Sequence, residues 1–382
     1  MIKVFHLITS LDTGGAEVTL RRLLSRFNRG KFENVVASLT NDGPIGAQIR
    51  ELDIPVHIIG MRRGVPSLPK LWSLWRLICR ERPSILQTWL YHSDLIGLLL
   101  GRAARVGSIV WNIRCADTGE MYSQGLRGLT FRILVRLSSW ADTIIANSHA
   151  GQEHHQSCGY SSQCWKVIPN GYDTKQLRPR SDARPWLLGE ANLDPENIII
   201  GIVARYDALK GHEIFLQAAS ILAERREMVR FVMVGSGIDD SNAELLALIR
   251  KHGVGNHVRL LGERADIPRI TAGFDIATCT SHSEGFPNMV AEAMACGVPC
   301  VATNVGDVDV LLGGIGWIVP VGDPVAMAAG WEEVVNLKPQ SKRQVGEQSR
   351  RRIIEKYSLD AVTQRYEKIY SALAKASALR PA

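Results

Sequence analysis

Nothing in this sequence of 382 residues approaches the ~20 uninterrupted apolar side chains that a membrane-crossing helix needs. A run such as Leu95–Leu100 is closed at once by Gly101 and Arg102. A secretory leader is missing too, because the apolar stretch Val4–Ile8 is followed by Asp12 and Gly14-Gly15 where a cleavage site would stand. The expectation is a soluble, cytoplasmic protein. Cysteine is sparse and unpatterned: seven thiols at irregular spacing exclude a disulfide framework and point to reduced side chains. His149, His154, His155, Cys158 and Cys164 crowd into one stretch, but they lack the paired C-x-x-C spacing of a zinc site. A solvated helix end is expected there, and no metal. No short repeat or low-complexity tract occurs. No G-x-G-x-x-G follows the first apolar run, which argues against a dinucleotide oxidoreductase.

What is present is an ordinary globular composition, 46% hydrophobic and 22% charged, which excludes disordered, collagen-like and coiled-coil chains. The length suits two domains of about 150–200 residues. Charge divides unevenly between the halves. Residues 1–180 hold 23 Lys and Arg against 13 Asp and Glu, whereas residues 181–382 hold 22 against 25. An anionic partner is therefore expected on the first half alone, with nucleic acid and an anionic membrane surface as the candidates.

Short β-branched runs alternate with amphipathic stretches along the first half: IKVFHLIT, NVVASL, VHIIG, SILQTWL, SIVWNI, TIIANS and KVIPNG. Strands so continuously apolar are covered on both faces. A charged, proline-bearing stretch, 175–195, reads as an interdomain linker. The alternation then restarts with NIIIGIVA, VRFVMVG, HVRLLG, DIATCTS, PCVAT and GWIVP. The predicted fold is α/β: two doubly wound, parallel-sheet, Rossmann-like domains facing a cleft, over 1–180 and 181–358. A last helix, 359–382, is expected to pack back on the first domain.

Ligands of such sheets bind beyond the carboxyl ends of the strands. Gly14-Gly15 lies between a strand and a helix start, where backbone approaches a ligand closely, or simply turns. Arg205 and Lys210, with four residues between them, lie on the loop leaving NIIIGIVA, with Asp207 the only carboxylate between them, and form a ready clamp for a diphosphate. In SHSEGFPNMVAEAMACGVPCVAT, Glu284 stands in a loop and Pro287 and Asn288 open a helix that ends before Gly297. Amides of Asn288, Met289 and Val290 point at an anion on that helix axis. Glu292, one turn in among Ala291, Ala293 and Met294, is a carboxylate that needs a partner, and ribose hydroxyls would serve.

With these residues in place, the chain resembles a retaining glycosyltransferase of family 4, of the bacterial polysaccharide or lipid-linked glycan type, with the two-Rossmann GT-B architecture. The resemblance spans nearly the whole chain. It rests on Gly14-Gly15-Ala16-Glu17, VIPNGYD at 167–173, Arg205-x4-Lys210, LGERAD at 261–266 and Glu284-x7-Glu292, in that order. It implies transfer from a nucleoside-diphosphate sugar, a UDP-sugar, to a glycan or lipid-linked acceptor in cell-surface polysaccharide synthesis. Arg205 and Lys210 then hold the donor diphosphate in place of a metal, so no cofactor is required, and Glu284 takes the sugar hydroxyls. Glu292 binds the ribose, main chain at Gly262 and Arg264 takes the base, and the amides of Asn288, Met289 and Val290 assist with phosphate. Gly15 approaches the diphosphate-sugar from the other domain. Retention is attributed to departure and attack on one face through an oxocarbenium-like state, with no obligatory enzyme nucleophile.

One feature departs from the family pattern. Where related enzymes carry a histidine after the strand matching SIVWNI, this chain reads Arg114-Cys115-Ala116-Asp117. His92, Arg114 and Asp117 are the candidates for the acceptor side. The stretch LPKLWSLWRLICRERP at 68–83 joins tryptophans to arginines, as suits a helix on an anionic bilayer, and places the enzyme at the inner face of the membrane. The competing reading is a non-catalytic protein that binds sugar nucleotides, or nucleic acid through its basic half. No nucleic-acid module is present, so no nucleic-acid partner is expected.

Overall fold

The computed structural model describes residues 1–62, 67–114, 125–161 and 164–379, without the side chains of 126 and 127. The chain forms two compact units, Met1–Gly171 with Leu359–Ala382, and Tyr172–Ser358.

In chain order the first unit runs β1 (Ile2–Ile8), α1 (Gly15–Leu24), β2 (Phe32–Ser38), α2 (Gly43–Arg50), β3 (Val56–Ile58), α3 (Leu68–Glu81), β4 (Ile85–Trp89), α4 (Tyr91–Ala103), β5 (Ser108–Ile113), α5 (Gly125–Leu137), β6 (Thr143–Ala146), α6 (His149–Ser157) and β7 (Trp165–Val167). The second runs α7 (Ala183–Glu190), β8 (Ile198–Val203), α8 (His212–Ala223), β9 (Val229–Val234), α9 (Ala243–Lys251), β10 (Val258–Leu260), α10 (Ile267–Ala272), β11 (Ile276–Cys279), α11 (Asn288–Ala295), β12 (Cys300–Thr303), α12 (Val308–Leu312), β13 (Trp317–Val319), α13 (Pro324–Asn336) and α14 (Pro339–Tyr357). Then α15 (Leu359–Ala378) returns to the first unit.

Both sheets are parallel, ordered β3-β2-β1-β4-β5-β6-β7 and β10-β9-β8-β11-β12-β13. Every residue of β4 and β5 is buried, as strands covered on both faces must be. Strand order reverses between β1 and β4 in one sheet and between β8 and β11 in the other, so each unit has a switch point where a doubly wound sheet binds its ligand.

Alternation along β1 sends Val4 and Ile8 into a core shared with α1 and α15, and Phe5 and Leu7 into one shared with α3. The α15 side also carries a buried polar row. His6 Nε2 lies 3.0 Å from Asn34 Oδ1, Tyr370 Oη donates to Gln87 Oε1 at 2.6 Å, and Asn112 Nδ2 donates to Tyr366 Oη at 3.0 Å. The last helix therefore docks on the first sheet by matched hydrogen bonds as well as by the apolar Val362.

Two sequence expectations change. The stretch 175–195 is not a bare linker: α7 lies inside it, with Leu177, Leu187 and Leu188 buried in the second core. The histidine-rich stretch is a solvated helix end only in part: His149 is exposed, but His155 is fully buried beneath Tyr91, Phe131 and Tyr160. Its Nδ1 bonds Gly151 O at 2.7 Å and its Nε2 lies 2.6 Å from Tyr91 Oη. Burial pushes its pKa down to about 4. Among the described residues no helix is long and apolar enough to cross a membrane.

Candidate active site

At the switch point of the second sheet, β8 gives way to a single 3-10 turn, Ala208–Lys210. Asp207 caps that turn by accepting from Leu209 N at 2.9 Å. Its other oxygen takes Arg205 Nε and Nη2 at 3.1 and 2.8 Å. The Leu209 amide first, then the Arg205 guanidinium, hold the Asp207 carboxyl below its usual range. Arg205 is thus steered to one side, with two thirds of its side chain in solvent.

Lys210 closes the turn against the exit of β11. Gly211 follows at φ 64°, pressed on the Thr280 carbonyl so closely that any Cβ would strike it, which is why glycine stands there. Thr280 Oγ1 donates to Lys210 O at 2.9 Å, and His282 N to Leu209 O at 2.8 Å. So fixed, Lys210 Nζ reaches Glu284 Oε1 at 2.6 Å. Ser281 Oγ donates to the same oxygen at 2.7 Å, and Thr303 Oγ1 holds Ser281 O at 2.7 Å. Gly306, at φ 52°, backs onto the Glu284 and Gly285 carbonyls. The pair is largely shielded from water, which strengthens its mutual attraction.

The loop from Glu284 leads into α11. Tyr172, from the VIPNGYD run, donates to Asn288 Oδ1 at 2.6 Å and stacks on Phe286 with 6.4 Å between centroids. Met289 packs half-buried against the core, and Val290 is wholly inside it. Glu292 is half-buried one turn in. Arg350 donates to Ala295 O at the other end of α11, and to Leu177 O and Thr174 O at 2.9 and 3.1 Å.

At the sheet's other side, Gly262 has φ 68°, donates to Ile238 O at 2.9 Å and accepts from Gly235 N at 2.8 Å. Gly235 in turn lies against Ala204 O, in a space that admits no side chain. Arg264 pairs with Asp266 at 2.8 Å and Glu190 at 3.0 Å, which holds its side chain within its own unit.

In the first unit, Gly15 opens α1 with nothing within 4 Å of where a Cβ would stand. His92 is exposed in the first turn of α4, just past Leu90, whose φ of 74° is costly for a non-glycine residue. Arg114 is held on several sides. It bonds Thr19 Oγ1 at 3.1 Å and Asn170 Oδ1, and lies 5.8 Å over the Trp89 ring. Asp117 lies outside the described residues.

The structure thus brings Lys210 and Glu284, expected to hold separate parts of the donor, into one ion pair. It draws Arg205 toward Asp207 and sets Asn288, Met289, Val290 and Glu292 on one helix. Ser281 and Tyr172 have no role in the sequence reading, and Asp207 enters it only as the carboxylate between the two cations. Both Ser281, three residues before Glu284, and Asp207, two after Arg205, offer a local signal. Among the described residues no group of three or more His, Cys, Asp or Glu side chains is arranged to hold a metal.

Two family profiles match the chain, one on each half: Glycosyltransferase Family 4 over residues 13–176 and Glycosyl transferases group 1 over residues 197–336. The capsular polysaccharide biosynthesis glycosyltransferase CapM of Staphylococcus aureus is 24% identical over 391 residues, which take in 98% of each chain. The D-inositol 3-phosphate glycosyltransferase of Segniliparus rotundus is 30% identical over 227 residues, 58% of this chain and 49% of that protein. Among solved structures, Anabaena HepE in complex with UDP superposes with a TM-score of 0.85 at 23% identity, over 97% of this chain and all of that one. Sucrose-phosphate synthase of Thermosynechococcus elongatus reaches 0.78 at 18% identity, over 98% of this chain and all of that one. Two parallel-sheet units of matching topology, with the two profiles covering most of the chain between them, make this protein a member of the family 4 glycosyltransferases, with the GT-B fold.

Proposed function

We propose that this glycosyltransferase moves a hexose from a UDP-sugar to a glycan or lipid-linked acceptor of cell-surface polysaccharide synthesis, with retention at the anomeric carbon and without a metal. The carrying observation is the Lys210–Glu284 pair, 2.6 Å apart at the β8/β11 switch point. A lysine fixed there lies where negative charge grows as the sugar–diphosphate bond breaks, and preorganised charge of this kind is the largest electrostatic aid to such a step. Arg205 joins it on the diphosphate once turned from Asp207. Glu284, oriented by Lys210 and Ser281, accepts hydrogen bonds from donor-sugar hydroxyls, and Glu292 accepts them from ribose. The acceptor oxygen attacks from the face that the diphosphate leaves. The polysaccharide context is supported by the likeness to CapM, and the uridine donor by the UDP held in HepE. To test the reading, UDP-sugars are incubated with the protein and a glycan or lipid-extract acceptor, with and without a chelator. UDP release and a product of unchanged anomeric configuration by NMR are expected in both. An inverted product, or transfer abolished by the chelator, overturns the corresponding part.

A further inference from the structure

Helix α4 packs against both α3 and α5, and the three cover one side of the first sheet. Their outward stripes follow one pattern. On α3, Leu68, Trp72, Arg76 and Arg80 recur every fourth residue and all are exposed, Leu68 by 80% and Trp72 by 58%. On α5, exposed Leu129, Arg132 and Arg136 lead to Trp140, which is 56% exposed. Between them α4 presents Leu99 and Arg102. Lys70 and Arg82 add to the cations at the two ends of α3.

No exposed carboxylate answers this charge among the described residues of the layer. Glu81 is largely covered and held by Lys3 and Arg80, Asp94 is buried, and the Asp142 side chain is 7% exposed and paired with Arg102 at 3.0 Å. Arg76 stacks on Trp72 at 4.7 Å, so cation and indole form one amphipathic plate. Solvent ordinarily rejects large apolar side chains, and a soluble surface ordinarily mixes both signs of charge. This layer does neither.

We propose that the α3–α4–α5 layer docks on an anionic lipid bilayer, with Trp72, Trp140 and their neighbouring leucines at the headgroup boundary and the arginines on lipid phosphates. The pairing of indole with arginine on one plane is the chemistry of a membrane interface. A second copy of the same face would bring like charge against like. A nucleic acid would use the cations and leave the outward leucines unexplained. The proposal does not rest on the transferase reading.

Flotation of the full chain with phosphatidylcholine vesicles, with and without phosphatidylglycerol, tests it without any sugar donor. Binding is expected only with the anionic lipid and is expected to fall with added salt. Each interfacial cation is worth about a fivefold factor in partitioning, so Arg76→Ser/Arg80→Ser/Arg82→Ser lowers it about a hundredfold. The charge-matched control Arg250→Ser/Arg343→Ser/Arg351→Ser, on exposed arginines of the second unit, leaves binding near the parent level. Trp72→Ala/Trp140→Ala weakens it at unchanged charge. Equal loss from the control triple, insensitivity to the tryptophan pair, binding to a free polyanion but not to vesicles, or self-association through this face overturns the proposal. Catalysis is not read, so failure here leaves the proposed reaction standing.

Discussion

At the scale of single residues, the Lys210–Glu284 pair sets a sharp expectation. Losing Lys210 removes the charge proposed to meet the leaving diphosphate, and Lys210→Ala should cost about 2–4 kcal/mol of transition-state stabilisation. Because Oε1 of Glu284 takes both Lys210 and Ser281, Glu284→Gln disturbs the same unit. The double variant should therefore lose far less than the sum of the two singles in kcat/KM for a UDP-sugar. Additive losses would show that the two side chains act independently. The sequence made both residues legible as candidates, because each stands at a strand's carboxyl end. Their contact was not legible, since it depends on how Gly211 seats one loop on the Thr280 carbonyl. Arg205 and Arg264 show the same limit: their ion pairs with Asp207 and with Asp266 and Glu190 set where each side chain rests, and only the two aspartates lie near enough in sequence to be visible.

At the scale of elements, the strands were legible throughout because parallel strands covered on both faces leave continuous β-branched runs. The helix α7 was not, because its arginine, proline and glycine obscure an apolar side that only packing on the second core reveals. The docking of α15 is a further case. Its tyrosines stand among polar residues in the sequence, yet Tyr366 and Tyr370 are buried over Asn112 and Gln87. Tyr370→Phe keeps the ring and strands Gln87 Oε1 without its donor, which should cost about 1–3 kcal/mol. Denaturant unfolding of the first unit reads this directly. A cost near zero would mean that the helix is held by its apolar contacts alone.

At the scale of the whole molecule, stability is tied to pH through three buried histidines, His6, His155 and His212, each with its pKa pushed to about 4 mainly by burial. Their folded values lie below the unfolded one, so the unfolded chain takes up protons first. The stability they allow is complete above about pH 6.5 and is lost as pH falls through 4. Between pH 7 and pH 5 each should cost about 2 kcal/mol. Asp94 and Glu17, raised by burial, run the other way, so the histidine share is best isolated by difference. His6→Gln should flatten the fall of unfolding free energy between those pH values by about 2 kcal/mol. A variant as pH-sensitive as the parent would show that His6 does not contribute.

Tyr172 and Ser358, the first and last residues of the second unit, sit side by side in a parallel bridge, with Tyr172 N on Tyr357 O at 2.9 Å. A chain routed this way is assembled out of order as it is made. When Ser358 leaves the ribosome the second unit has emerged whole, from one bridged end to the other. The first unit, though translated earlier, still lacks α15, and His6, Gln87 and Asn112 have no cover. The half synthesised second is therefore free to finish folding first. The half synthesised first waits, with a polar row open to water, for α15.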